Sequence, residues 1–264
     1  MKNLKDLCLE VIEIARGAGA FQRNECRQMD KSKIEKKGLN DLVSYVDKET
    51  EKMLVSKLSQ LFPEAGFITE EGTTAQGQAE YTWVIDPLDG TTNFLHQLPL
   101  YSVSIGLLHE GKPVLGVIYA PETEEMFSAV KGEGAYLNGK QIEVSQADQF
   151  SDSLIATGFP YQRFEEMDAY LQILDKLMHC THGLRRLGSA AIDLAYVACG
   201  RFEAFYEYNL KPWDIAAGII IVEEAGGKVT DFKGEQDFLF GKQLIAGGAI
   251  HQDLQKMIHQ HWYR

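Results

Sequence analysis

The chain has 264 residues, with 38 acidic against 26 basic side chains and a net charge of -12. That length supports a full hydrophobic core, and the acid excess argues against nucleic acid or an anionic membrane as a direct partner, because both are bound through clustered Lys and Arg. The longest strongly apolar run, IAAGIIIV at 215–222, is too short for a membrane span of about 20 residues.

The opening residues place Leu4, Leu7, Cys8, Val11, Ile12 and Ala15 at helical spacing, without the apolar core and small-residue cleavage site of a signal peptide, and read as an amphipathic helix. A basic loop with Lys31, Lys33, Lys36 and Lys37 follows; it is either a solvated loop or a cover that neutralises a substrate phosphate. The next helix takes Asp47 as its N-cap, sets Met53, Leu54, Leu58 and Leu61 on one face and stops before Pro63. GFITEEG at 66–72 is a short strand that ends in Glu70 and Glu71. From 81 to about 145 the chain is rich in Val, Ile and Tyr and broken by Gly, Pro and Asn turns, the pattern of an antiparallel meander.

Beyond 147 the rhythm alternates. Strands are expected at 153–159, 183–188, 201–208, 228–232 and 243–249, and helices at 164–179, 189–198, 213–225 and the C-terminal end. The chain therefore divides into an α+β half, 1–146, and an α/β half, 147–264, packed as layered parts of one unit. Cys8, Cys26, Cys180 and Cys199 show neither a CxxC pair nor Cys/His ligand spacing; they read as buried, reduced thiols of a cytoplasmic protein. His259 and His261 read as surface residues of the last helix.

The chemistry is in the acids. WVIDPLDGTTNF at 83–94 runs a buried-type strand into two aspartates. Pro87 fixes φ and Gly90 permits a conformation other residues avoid, so the chain turns sharply and Asp86 and Asp89 can face one point. Taken alone, the pair is better explained by an ordinary Asp-Pro, Asp-Gly turn. Likewise Glu70 and Glu71 alone are a solvated pair, and Asp214 in KPWDIAAG alone is a helix cap. Together they lie at strand ends and a helix start, where layered α/β proteins gather their sites.

Carboxylates about 4 Å apart repel by roughly 4 kcal/mol at an effective dielectric near 20, so their convergence requires cations or protonation. The donors are all oxygens, Glu70, Asp86, Asp89, Asp214 and the Leu88 carbonyl, which favours Mg²⁺, Mn²⁺ or Ca²⁺ over zinc. Gly90, Thr91 and Thr92 then offer backbone N–H groups and hydroxyls to a phosphate.

WVIDPLDGTTNFLHQLP and WDIAAGIIIVEEAGG, with DLVSYVDKETEKML, ITEEG and LRRLGSAAIDLAYVACGRFEAFYE between and around them, resemble the inositol monophosphatase family, bacterial branch, of the lithium-sensitive, magnesium-dependent sugar phosphatases. The resemblance implies a layered αβαβα sandwich, mixed α/β and α+β, commonly dimeric. It implies two or three Mg²⁺ ions, with Mn²⁺ as a substitute and Li⁺ as an inhibitor, held by Glu70, Asp86, the Leu88 carbonyl, Asp89 and Asp214. Thr91, oriented by Asp47, would position the attacking water with Glu70. Leu88, Asp89, Gly90, Thr91, Thr92 and Asp214 would surround the phosphate, and Glu207 with Gly188, Ser189 and Ala190 would contact the alcohol. Thr69 and Gln97 stand where the family commonly has Gly, and are expected to alter the rim around the substrate. Arg185 and Arg186 are open to a phosphate, a subunit partner or simple ion pairs.

A haloacid-dehalogenase-type phosphatase needs DxD spacing, whereas the spacing here is DxxD. Among substrates of the bacterial branch, inositol 1-phosphate ranks first and NADP(H) second, ahead of fructose 1,6-bisphosphate and adenosine 3',5'-bisphosphate. A non-enzymatic role as a partner in transcription and ribosomal RNA maturation is the reading from another class.

Overall fold

A computed structural model of the chain describes residues 3–28, 34–36, 42–77 and 79–263, with only the backbone described for 34–36 and 42–44. Helix α1 (Leu4–Arg27) is capped by the Asn3 side chain. Strands β1 (Ile34–Lys36) and β2 (Leu42–Ser44) form an antiparallel pair that sequence periodicity did not announce. Lys31, Lys33 and Lys37 of the basic loop lie outside the described residues.

Helix α2 (Tyr45–Leu61) begins earlier than expected. Asp47 is therefore a buried residue of the first helical turn rather than the cap, and is 1% exposed.

The expected meander is present as β4 (Tyr81–Asp89), β5 (Ser102–His109), β6 (Lys112–Ala120), β7 (Glu125–Val130), β8 (Ala135–Leu137) and β9 (Lys140–Ile142), with β3 (Gly66–Thr69) added parallel to β4 in the order β3-β4-β5-β6-β7-β8-β9. A second sheet holds β10 (Leu154–Thr157), β11 (Gly183–Arg185), β12 (Ala204–Tyr208), β13 (Lys228–Thr230) and β14 (Gln243–Gly247), in the order β11-β10-β12-β14-β13. The helices of this region are α4 (Met167–Cys180), α5 (Ala190–Ala198), α6 (Pro212–Glu224) and α7 (His251–Trp262); a short α3 (Thr91–Leu95) follows β4.

Alternation along each strand builds five layers. Trp83 and Ile85 of β4 face α1 and α2, packing with Leu7, Val11, Leu54 and Leu58. Val84, between them, faces the opposite side and joins a core with α5, α6 and one face of the second sheet, through Ala156 and Phe205. The other face of that sheet, through Ile155 and Tyr206, packs on Tyr170 of α4 and Ile258 of α7. The layers run α1/α2, seven-stranded sheet, α5/α6, five-stranded sheet, α4/α7: the αβαβα sandwich. Burial on both faces explains why β4, β5 and β6 read as nearly continuous apolar runs rather than alternating ones.

Two glycines let the central layer approach the backbone of the first sheet. Gly106 and Gly116 are register partners on β5 and β6. A Cβ at Gly116 would stand 2.4 Å from the Ala217 carbonyl oxygen of α6, and one at Gly106 would stand 3.0 Å from the Ala216 Cβ. The missing side chains make a trench for α6, and that depth carries Asp214 toward the ends of β3 and β4.

Among the described residues no helix is long and apolar enough to cross a membrane. The four cysteines are free; Cys8 and Cys26 are buried, Cys180 and Cys199 only partly so.

Candidate active site

Strand register explains why the acids meet. Because β3 and β4 are parallel with Thr69 opposite Ile85, their C-terminal ends lie side by side, and the Glu70 N–H donates to the Ile85 carbonyl at 3.3 Å. Glu70 is thus a neighbour of Asp86. The β4–β5 register shifts between Asp86, opposite Ser104, and Asp89, opposite Ser102, so Pro87 and Leu88 bulge out of the ladder. The Gln22 side chain of α1 occupies the bulge, donating to the Pro87 carbonyl at 2.6 Å, and the Leu88 N–H donates to Asp86 Oδ1 at 2.9 Å. Ser104 donates to the Trp213 carbonyl at 3.4 Å, which docks the start of α6, and Asp214 with it, beside Asp86.

Each acid is fixed on one side by its own donors. Asp89 Oδ2 accepts from the Ser189 hydroxyl at 2.6 Å and the Ala191 N–H at 2.7 Å. Asp214 Oδ2 accepts from the Lys211 N–H at 2.7 Å, so its helix-capping role and its place in the site coexist. The Thr91 hydroxyl lies 3.2 Å from Asp47 Oδ1 and 3.0 Å from the Leu88 carbonyl oxygen, both acceptors within its reach. Gly90 turns the chain at φ 91, and a Cβ there would stand 2.9 Å from the Leu100 carbonyl oxygen. Ser189 is the N-cap of α5, accepting from the Ile192 N–H at 3.3 Å, and is 1% exposed. Its hydroxyl serves Asp89 and the helix start, while Ser189 lines the pocket together with Gly188 and Ala190.

These elements enclose a cavity of about 500 Å³ lined by Glu70, Glu71, Asp89, Gly90, Thr91, Thr92, Gly188, Ala190, Asp193, Arg186, Glu207 and Asp214, among others. Asp47, Asp86 and Leu88 stand behind that lining, each no more than 2% exposed.

Electrostatically the site is under strain. Burial, then repulsion from Asp214, Asp47 and Glu71, holds the Glu70 carboxyl well above the usual carboxylate range. Asp86 is raised in the same way, by burial and then by Glu70, Asp89 and Asp214. Burial pushes Asp89 up to about 6 against the pull of the Ser189 hydroxyl, and pushes Asp214, with help from Asp89, up to about 7. Glu70 and Asp214 are partly open to the pocket yet ringed by protein atoms. Among the described residues no three His, Cys, Asp or Glu side chains form a preformed cage. The donor chemistry nevertheless suits a hard divalent cation: all oxygens, several carboxyls destabilised by one another, and a positive charge is what would relieve them.

In the lining of the same cavity, Glu207 of β12 is pushed up to about 8 by burial, with Arg186 pulling it back. The Arg186 guanidinium lies over the rings of Phe159 and Tyr161, at 5.3 Å and 5.5 Å from their centroids, and its Nη2 donates to the Tyr161 hydroxyl at 3.4 Å. Among the described residues it forms no ion pair, so its charge faces the pocket; Arg185 is exposed and donates only to the Leu184 carbonyl.

Two expectations about the rim are corrected. Thr69 is 3% exposed and donates to Glu51 at 3.0 Å, so it lies beneath the site. Gln97 lies by Cys26, Leu98 and Pro99 in a separate hollow, with a left-handed φ of 60 that a glycine would adopt more easily. Sequence reasoning passed over Gln22, Glu51 and Asn93. Asn93 donates to both the Leu100 and Leu187 carbonyls, at 2.7 Å and 2.8 Å, tying the turn after β4 to the segment before α5. His259 is exposed on α7, as expected, and His261 is partly buried with Nδ1 2.8 Å from the Met257 carbonyl oxygen.

The family model described as "Inositol monophosphatase family" matches residues 4–263. The chain belongs to the inositol monophosphatase family. It is 40% identical over 243 residues to the Nus factor SuhB of Pseudomonas aeruginosa, covering 90% of each chain. It is 39% identical over 243 residues to the inositol-1-monophosphatase of Mesorhizobium japonicum, covering 92% of this chain and 91% of the relative. Among solved structures, the extragenic suppressor protein suhB of Bartonella henselae superposes with a TM-score of 0.91 at 40% identity, over 96% of this chain and 98% of the other. Inositol monophosphatases are generally metal-dependent, and membership supports a phosphatase with a small phosphorylated substrate.

Proposed function

We propose that this protein is a magnesium-dependent phosphate monoester hydrolase that converts inositol 1-phosphate and water to inositol and phosphate, in the cytoplasm and as a homodimer. The observation that carries the reading is the convergence of Glu70, Asp86, Asp89 and Asp214, from the end of β3, from β4 and from the start of α6, around one cavity, where burial raises each of their carboxyls. The inositol-1-monophosphatase name of the Mesorhizobium relative favours the substrate.

Two or three Mg²⁺ ions would be held by Glu70, Asp86, the Leu88 carbonyl, Asp89 and Asp214, with Mn²⁺ as a substitute and Li⁺ as an inhibitor. When bound, such ions polarise a phosphoryl oxygen and lower the pKa of water. The chain's own residues do the rest. Gly90 and Thr92 present N–H groups and a hydroxyl to the phosphate oxygens. Thr91 donates to Asp47 Oδ1, which leaves the lone pairs of its Oγ1 to accept a proton of the attacking water and align it. Glu207, Gly188 and Ala190 meet the alcohol, and the Arg186 charge draws the anionic substrate inward.

The test is phosphate release from inositol 1-phosphate, NADP(H), fructose 1,6-bisphosphate and adenosine 3',5'-bisphosphate, each with Mg²⁺, with EDTA and with added Li⁺. Preference for inositol 1-phosphate supports the reading, and preference for NADP(H) would move the assignment to the second-ranked substrate. The name Nus factor SuhB borne by the Pseudomonas relative favours a second, non-catalytic role as a transcription partner. Retention of that role in an inactive Asp86→Asn protein would separate it from the chemistry.

A further inference from the structure

Glu51 is a fully buried carboxylate that the hydrolytic reading leaves without a task. It lies on α2 one turn after Asp47, so both project from the same helix face. Its oxygens accept four hydrogen bonds, from the last residue of β3 and from the loop that follows it. Oε1 accepts from the Thr69 hydroxyl at 3.0 Å, the Thr73 N–H at 2.7 Å and the Thr73 hydroxyl at 2.8 Å, and Oε2 accepts from the Glu71 N–H at 2.7 Å. These donors bracket Glu70 on both sides. Gln76 adds a second brace, accepting from the Thr69 N–H at 2.8 Å and donating to the Thr69 hydroxyl at 2.9 Å.

We propose that Glu51 is a positioning residue that moulds the 69–73 loop and so aims Glu70 at the cation site; the inference rests on the metal-dependent reading above. The segment from Glu70 to Thr73 has no helix or strand of its own, and its shape is set by a buried, acceptor-only group that four donors saturate. The same helix face bonds Thr91 through Asp47. Helix α2 therefore fixes the separation between Glu70 and Thr91, the two groups between which the attacking water would lie. Groups that orient metal ligands from behind typically change metal affinity by about 10- to 100-fold when removed.

The experiment compares wild type with Glu51→Gln, which keeps the size of the side chain but turns one acceptor into a donor, so that at least one loop donor loses its partner. Magnesium binding is measured by calorimetry on EDTA-stripped protein, and amide hydrogen exchange is followed at Glu71 and Thr73. The expected result is a folded protein with faster exchange at both amides, a Mg²⁺ dissociation constant raised about tenfold or more, and turnover restored by excess Mg²⁺. Glu51→Asp, which keeps the charge, recovers part of the affinity. Thr73→Val removes one donor and carries the test if Glu51→Gln does not fold, with a smaller rise in the same constant. Unchanged Mg²⁺ affinity in the folded Gln variant, or in Thr73→Val where the Gln variant fails to fold, overturns the positioning role even if stability falls. A wild type that binds no Mg²⁺ overturns the hydrolase reading and this inference with it.

Discussion

Gly158 offers a way to move one site group without removing it. It follows β10 and lies beside Glu207, because Thr157 pairs with Tyr206 in parallel register. A Cβ at Gly158 would stand 2.0 Å from Glu207 Oε2, 2.2 Å from its Cδ and 2.3 Å from Oε1. The Gly158 carbonyl is held by the hydroxyl of buried Tyr170, so the backbone cannot swing away. Ordinary contact begins near 3.4 Å, so from 2.0 Å the carboxyl must retreat by about 1.4 Å in Gly158→Ala. The atoms displaced are the end of a flexible side chain rather than backbone, so the fold survives. A misplacement of about 1 Å can cost about 10²-fold in rate, and that is the expected fall in kcat/KM for inositol 1-phosphate. An aryl phosphate without hydroxyls, such as p-nitrophenyl phosphate, should be hydrolysed at close to the wild-type rate. Glu207→Ala should reproduce the defect, and the double variant should add nothing, since both changes remove one interaction. Wild-type kcat/KM for inositol 1-phosphate in Gly158→Ala, with a fold shown to be intact, refutes the placement of Glu207 on the alcohol.

Other consequences can be checked separately. Asp89→Asn and Asp214→Asn should each lose at least about 10²-fold in turnover while circular dichroism shows the fold retained; wild-type phosphate release in either contradicts the ligand assignments. Gly116→Ala drives a methyl against the Ala217 carbonyl and Ile220, at 2.4 Å and 2.6 Å, and should destabilise by about 1–3 kcal/mol, read as a fall of about 2–4 °C in Tm per kcal/mol; an unchanged Tm argues against the tight seating of α6. His251, 2% exposed, is held down to about 4 by burial and then by Lys228. A histidine lowered in the fold stabilises fully above its free value of 6.5, and that stability is lost as pH falls toward 4, up to about 3 kcal/mol. Urea unfolding should show wild type losing more stability than His251→Gln between pH 7.5 and 4.5, and parallel curves would contradict this.

How much of this was visible in the chain depends on where each residue finds its partners. Asp86, Asp89 and Asp214 announce themselves because each ends a strand or starts a helix, and turn chemistry at Pro87 and Gly90 is local. The alternating second half was equally legible, since its strands and helices carry distinct periodicities. Glu51 was not, because within DKETEK it looks like one more charge on a solvated helix, and its four donors lie 18 to 22 positions away. Asp47 reads as a cap because it is a capping residue type just before an apolar periodic run, whereas α2 starts two residues earlier, at Tyr45. Ser189 illustrates a shared role: its sequence context points to the substrate pocket, whereas its hydroxyl is spent on Asp89 and the helix start. The β1–β2 pair escaped notice because IEK and LVS are too short to show a period.

The central claim is that carboxylates from the ends of β3 and β4 and the start of α6 share divalent cations used in phosphate ester hydrolysis. Its most direct test is Mg²⁺ titration of EDTA-stripped protein by calorimetry, with phosphate release from inositol 1-phosphate followed in the same samples. The account predicts saturable binding that restores activity, and loss of both in an Asp89→Asn, Asp214→Asn double variant. Undiminished phosphate release in excess EDTA, or no cation binding by a folded, active protein, would contradict it.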